Sequence, residues 1–152
     1  MDRINFDTKE EDVVKKKILK IANKMDQKQL AIWASECVEH VLSNFEEKYP
    51  NDNRPRKAIE VARAWVNGTM SVGEARSAAL EAHAAARESE DDIACAVARA
   101  AGHVAATAHV ADHAIHATNY AAKVDFKESS WQYKKLLDLK NKINENKKQD
   151  QK

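Results

Sequence analysis

Asp26-Gln27-Lys28-Gln29-Leu30-Ala31-Ile32-Trp33-Ala34-Ser35-Glu36-Cys37-Val38-Glu39-His40-Val41-Leu42-Ser43-Asn44-Phe45-Glu46-Glu47-Lys48-Tyr49-Pro50 sets the class of fold. Asp26 can accept the free N–H groups at a helix start while Gln29 reaches back to the Asp26 backbone. Leu30, Trp33, Ala34, Cys37, Val41 and Phe45 then recur at three- and four-residue spacing, which lines one face of a helix. Tyr49-Pro50 stops the pattern, because proline disfavours helical backbone in the residue before it. A helix carrying Trp33 and Phe45 on one stripe belongs in a core.

The segments on either side read the same way. Thr8-Lys9-Glu10-Glu11 is a capping-box pattern that predicts a first helix from Thr8, ending near 23–26 and bearing Val14, Ile18, Ile21 and Met25 on one stripe. Beyond the turn Asn51-Asp52-Asn53, Arg54-Pro55 places proline in a first helical turn, where its missing N–H costs little. That third helix carries Ala58, Ile59, Ala62, Trp65 and Val66 and ends at Asn67-Gly68. Ser71-Val72-Gly73-Glu74 opens a fourth reaching about Ser89, with an alanine face at Ala75, Ala79, Ala82 and Ala86 that permits a close neighbour. Glu90-Asp91-Asp92 suits a helix N-terminus, and the fifth pattern runs to about Lys123. That is long, and either Gly102 or the Asp112-His113 region can bend or divide it. Asp125-Phe126-Lys127-Glu128 can cap a sixth helix with Tyr133, Leu136, Leu137 and Ile143. The expectation is an all-α, single-domain bundle of five or six helices over 1–143, with a buried Ala/His-rich helix and a polar, frayed tail over 144–152.

Only three glycines and two prolines occur in 152 residues, and no stretch alternates apolar and polar residues as a half-buried strand would. The 25 basic and 24 acidic residues leave a net charge of +1, which argues against nucleic acid as a partner. Charged and histidine residues interrupt the Ala-rich stretch from Ala94 to Ala122, so no membrane span is expected; the charged N-terminus lacks the apolar core of a secretory signal, so the expected location is cytoplasmic. Cys37 and Cys95 match neither a CxxC site nor a disulfide framework and read as reduced, packed thiols. Trp33, Trp65 and Trp131 fall at core spacing.

Arginine is concentrated in the middle of the chain, at Arg54, Arg56, Arg63, Arg76, Arg87 and Arg99, whereas the flanks are basic mainly through lysine. Arginine's planar fork suits bidentate or partly buried contacts. Arg76, Leu80, His83 and Arg87 share one stripe of the fourth helix, which either pairs with acids such as Glu60, Glu81 or Glu90 or docks an anion or partner. On the fifth helix Arg99, His103 and His113 lie opposite Val97, Ala101, Val104, Ala105, Ala108 and Ile115. That helix is expected to be buried on both sides, so its histidines must hydrogen-bond, line a pocket or bind something. His109, Asp112, His113 and His116 share an arc if the helix is unbroken, and His-x3-His spacing permits a shared metal ion. No phosphate loop or nucleophile elbow is present, and no catalytic residue, resident metal or cofactor is assigned.

Ala31-Ile32-Trp33-Ala34 to Phe45-Glu46-Glu47, Asp52-Asn53-Arg54-Pro55-Arg56-Lys57-Ala58-Ile59-Glu60, Ala62-Arg63-Ala64-Trp65, Glu74-Ala75-Arg76 and Ala82-His83-Ala84-Ala85-Ala86-Arg87 form a series of motifs. Ala100-Ala101-Gly102-His103 and Ala106-Thr107-Ala108-His109-Val110-Ala111-Asp112-His113-Ala114 complete it. Together, over about Leu30 to Lys123, they resemble the immunity-protein-five-like family of bacterial polymorphic toxin systems; His116 is not part of the motif. The resemblance implies an all-helical cytoplasmic protein that neutralises a cognate toxin by binding it, with no catalytic role assigned to the motif residues.

Toxin docking does not by itself require buried His and Arg. A second reading is therefore a small anionic ligand held between the helices from Asn53, Ser71 and Asp92 by Arg54, Arg56, Arg76, His83, Arg87, Arg99, His103, His109 and His113. A metal-dependent enzyme is a third.

Overall fold

A computed structural model describes the backbone over residues 2–150 and the side chains over 9–149. The described residues form α1 (Asp2–Ala22), α2 (Gln27–Val41), α3 (Ser43–Glu46), α4 (Arg54–Val66), α5 (Val72–Glu88), α6 (Asp92–Ala106), α7 (His113–Ala121), a 3-10 turn (Ala122–Val124) and α8 (Glu128–Asp150), with no strand among them. The all-α class holds. The count of five or six does not, because two of the expected helices are each divided. None of the described helices is long and apolar enough to cross a membrane.

Two of the sequence-read caps form in full. Asp26 Oδ1 accepts from Gln29 N at 2.8 Å while Gln29 Oε1 accepts from Asp26 N at 3.0 Å, and Ser71 and Glu74 make the same reciprocal pair. The helix start expected at Thr8 is not one, since α1 already runs from Asp2; the Thr8 side chain lies outside the described residues. At α4 the cap comes from Asp52, whose Oδ1 accepts the Arg54 N–H at 3.1 Å, and Asn53 makes no side-chain cap.

α2 breaks from α3 at Leu42, where the Asn44 amide donates to the Val41 carbonyl at 3.0 Å and the Leu42 N–H turns to Glu39. The fifth expected helix divides at 107–112, and Gly102 lies inside an unbroken α6. The cause is tertiary. Gln27 Nε2, from the first turn of α2, donates to the Thr107 and Ala108 carbonyls at 2.7 and 3.0 Å, engaging acceptors that a continuing helix would use. The Thr107 hydroxyl binds the His103 carbonyl at 3.0 Å, and the following residues take tighter i to i−3 bonds before α7 begins. The sixth expected helix continues as α8 through Asp150, so Ile143 is not a structural boundary; 144–149 are helical and exposed, and Gln151 and Lys152 lie outside the described residues.

α6 is the axis of the bundle, contacting α2, α3, α4, α5 and α7, while α1 and α8 pair along one flank. Its most extensive contact is with α5. Ala75, Ala78, Ala79, Ala82, Ala85 and Ala86 on α5 are all buried, as are Ala94, Val97, Ala98, Ala101, Val104 and Ala105 on α6. Alanine leaves the two backbones close together. Trp33 is fully buried and satisfies its indole N–H on the Gln132 carbonyl at 2.9 Å, which ties α2 to α8. Both cysteines are free, Cys37 being buried.

Candidate functional site

The close approach of α5 to α6 places His83 against residues of α6. His83 comes from α5, Arg99 and His103 from one face of α6, and His113, His116 and Tyr120 from α7 across the 107–112 turn. Arg99 Nη1 donates to His83 Nδ1 at 3.1 Å. A guanidinium can only donate, so His83 Nδ1 is a bare acceptor and the imidazole is neutral, with its proton on Nε2. His103 Nδ1 lies 2.9 Å from His113 Nδ1. One of these nitrogens must donate and the other accept, so this bond holds with at most one imidazolium.

The rings pack as a group. His83 meets His103 edge-on at 5.0 Å between centroids, and Tyr120 stacks on His103 at 5.4 Å and 11°. His116 stands 5.4 Å from His103 and 5.9 Å from His113. Burial first, and then the neighbouring cations, push His103 down to about 4, and lower His83 and His113 in the same direction. For His83 the disfavouring charges are Arg99 and Arg87; for His113 they are His116 and His109, opposed by Asp112. No carboxylate among the described residues forms an ion pair with Arg99, Arg87 or these histidines.

The structure thus brings His83, Arg99, His103 and His113 together and leaves other residues of the expected set elsewhere. Arg54 forks onto Asp52, with Nε and Nη2 at 2.9 and 2.8 Å, and also pairs with Glu88. Arg56 forks onto Glu46 at 2.7 Å through each arm. These two arginines hold helix ends together. Arg76 and Arg87 are exposed on α5, and His109 is exposed in the turn before α7. The cleft between α4 and α5, about 460 Å³ and lined by Arg54, Lys57, Glu74 and Glu81 among others, carries charges of both signs. The shared arc of His109 and His113 needed one continuous helix, which the turn interrupts. No three His, Cys, Asp or Glu side chains among the described residues are set to share a metal ion.

Sequence reasoning did not single out two contributors. Tyr120 carried no signal, because an aromatic at helical spacing reads as core. Gly102 did carry one: it is the only glycine in an alanine-rich helix, and a Cβ there would lie 2.7 Å from the His83 ring. Its missing side chain is the space in which the imidazole sits.

A family model described as an Imm-5 like putative immunity protein matches residues 20–146, which includes α2 through most of α8. The chain belongs to that family. The match extends the expected region of about 30–123 at both ends and covers every residue of the His/Arg cluster. No curated protein and no solved structure matches the chain.

Proposed function

We propose that this chain is an immunity protein that protects a bacterial cell by binding a cognate toxin of a polymorphic toxin system in the cytoplasm. The family match over residues 20–146 is the observation that carries this reading. Stoichiometric binding suits the molecule's form: a closed helical framework, pinned by reciprocal helix caps and the buried Trp33 tie, presents its charged and scattered apolar side chains on a fixed surface. Leu80, 69% exposed one turn before His83, is the sort of apolar contact such a surface offers.

Co-expression with the toxin encoded beside it tests the proposal. Rescue of growth and recovery of a defined complex are the expected results. A stable, well-expressed protein that neither rescues nor co-purifies with that toxin would overturn it. The expected anionic-ligand reading retains a specific observation in its favour, the convergence of Arg99 with three histidines.

A further inference from the structure

We propose that Arg99, His83, His103 and His113 form a proton-coupled oxyanion-binding site, taking a sulfate, phosphate or carboxylate group together with one or more protons. The proposal does not rest on the immunity reading.

The argument begins with donors. In this arrangement His83 Nδ1 accepts from Arg99, and one nitrogen of the His103–His113 pair accepts from the other. Each acceptor is a site that a proton can occupy. Protonating His83 turns its Nδ1 into a donor facing a guanidinium donor, and the two must separate unless an acceptor-only group comes between them. An oxyanion is such a group: it receives N–H bonds from both and neutralises the charge the proton brought. The same holds for a second proton on the His103–His113 pair.

The surroundings hold one anion, Asp112, whose charge acts on His113, and no carboxylate among the described residues is paired with any of the four. From α5 the facing charged group is Arg87; from α6 it is Arg99; from the turn and α7 they are His109, Asp112 and His116, with Tyr120 stacked on His103. Asp112 is exposed and makes no bond to the four. The backbone is also shaped for the array, since Gly102 provides the room that His83 occupies. A purely structural histidine network would be expected to gain nothing from an added anion. A coupled site gains both charge neutralisation and donors.

Sulfate is the probe, because its charge is constant across the range in which histidine titrates. Each histidine Cε1–H is followed by NMR between about pH 8 and about pH 4 in low-millimolar sodium sulfate and in sodium chloride of equal ionic strength. The expected result is that sulfate raises the midpoints of His83 and His103 by about one pH unit or more, each such shift equivalent to roughly tenfold tighter sulfate binding once that ring is protonated. Arg76→Met, on α5 with His83 but outside the array, should keep that response, and Arg99→Met should lose it. Equal midpoints in the two salts would overturn the proposal, as would a full sulfate response in folded Arg99→Met. If that variant does not fold, the wild-type midpoints alone decide. The oxyanion can be free or can be a carboxylate of a bound protein, and toxin rescue separates the sources. A folded Arg99→Met that loses both sulfate and rescue assigns the site to a partner carboxylate; one that loses sulfate and keeps rescue assigns it to a free anion.

Discussion

At the level of single residues, Gly102 shows how a substitution can change a site while barely touching stability. Alanine in place of glycine within a helix ordinarily gains up to about 1 kcal/mol. Here the new methyl would fall 2.7 Å from the His83 ring, which is half-buried and can swing outward. Gly102→Ala should therefore leave the unfolding free energy within about 1 kcal/mol of wild type, the propensity gain offsetting the lost packing. The displaced imidazole, away from Arg99, should titrate closer to an ordinary histidine. Urea unfolding and the His83 NMR titration read the two effects separately. A His83 midpoint identical to wild type would mean that the ring does not depend on the gap.

Among the elements, the division between α6 and α7 is held from outside by one amide. Gln27 holds the Thr107 and Ala108 carbonyls from the first turn of α2, and no glycine or proline marks the break. Gln27→Ala should cost about 1–2 kcal/mol, because two partly buried carbonyls lose their donor. Amide exchange should rise first over 107–112, and unchanged protection there would show that the turn holds itself. The α5–α6 contact has the opposite sensitivity. Ala82 is fully buried where the helices meet, so Ala82→Leu should force them apart and cost about 1–3 kcal/mol in urea unfolding. Stability equal to wild type would contradict so close an approach.

Across the whole molecule, the histidine array makes stability depend on pH. His103 lies at about 4 in the folded chain against an ordinary 6.5, with burial the leading cause. The unfolded chain consequently binds protons first, and stability is lost as the pH falls from about 6.5 toward about 4. His83 and His113 shift the same way and add to the loss. The full His103 shift would correspond to about 3 kcal/mol, but its ring is only half-buried, so solvent screening reduces the expected share to roughly 1–2 kcal/mol. Urea unfolding at about pH 7.5 and about pH 5 should show the drop, and His103→Gln should reduce it, leaving the share of His83 and His113. A profile unchanged in that variant would place the acid sensitivity elsewhere.

What the sequence determined by itself was local. Helical periodicity, the Asp26–Gln29 and Ser71–Glu74 boxes, Pro55 in a first turn and the alanine face of α5 each follow from residues within about a turn of one another, and all are present in the fold. Those same rules misplaced the start of α1 and the end of α8, because a plausible cap at Thr8 need not be used and a polar tail can remain helical. The motif residues also carried the family, which needs no coordinates to be legible. Tertiary structure alone decided which cations meet. Arg54 and Arg76 look equivalent along the chain, yet Arg54 is held by Asp52 and Glu88 while Arg76 stands in solvent. Arg99 reaches His83 sixteen positions away, and His103 reaches His113 because Gln27, some eighty residues distant, ends α6 where it does. Hydrogen bonds between distant segments leave no period in a sequence, since the spacing that joins them exists only after the helices have packed.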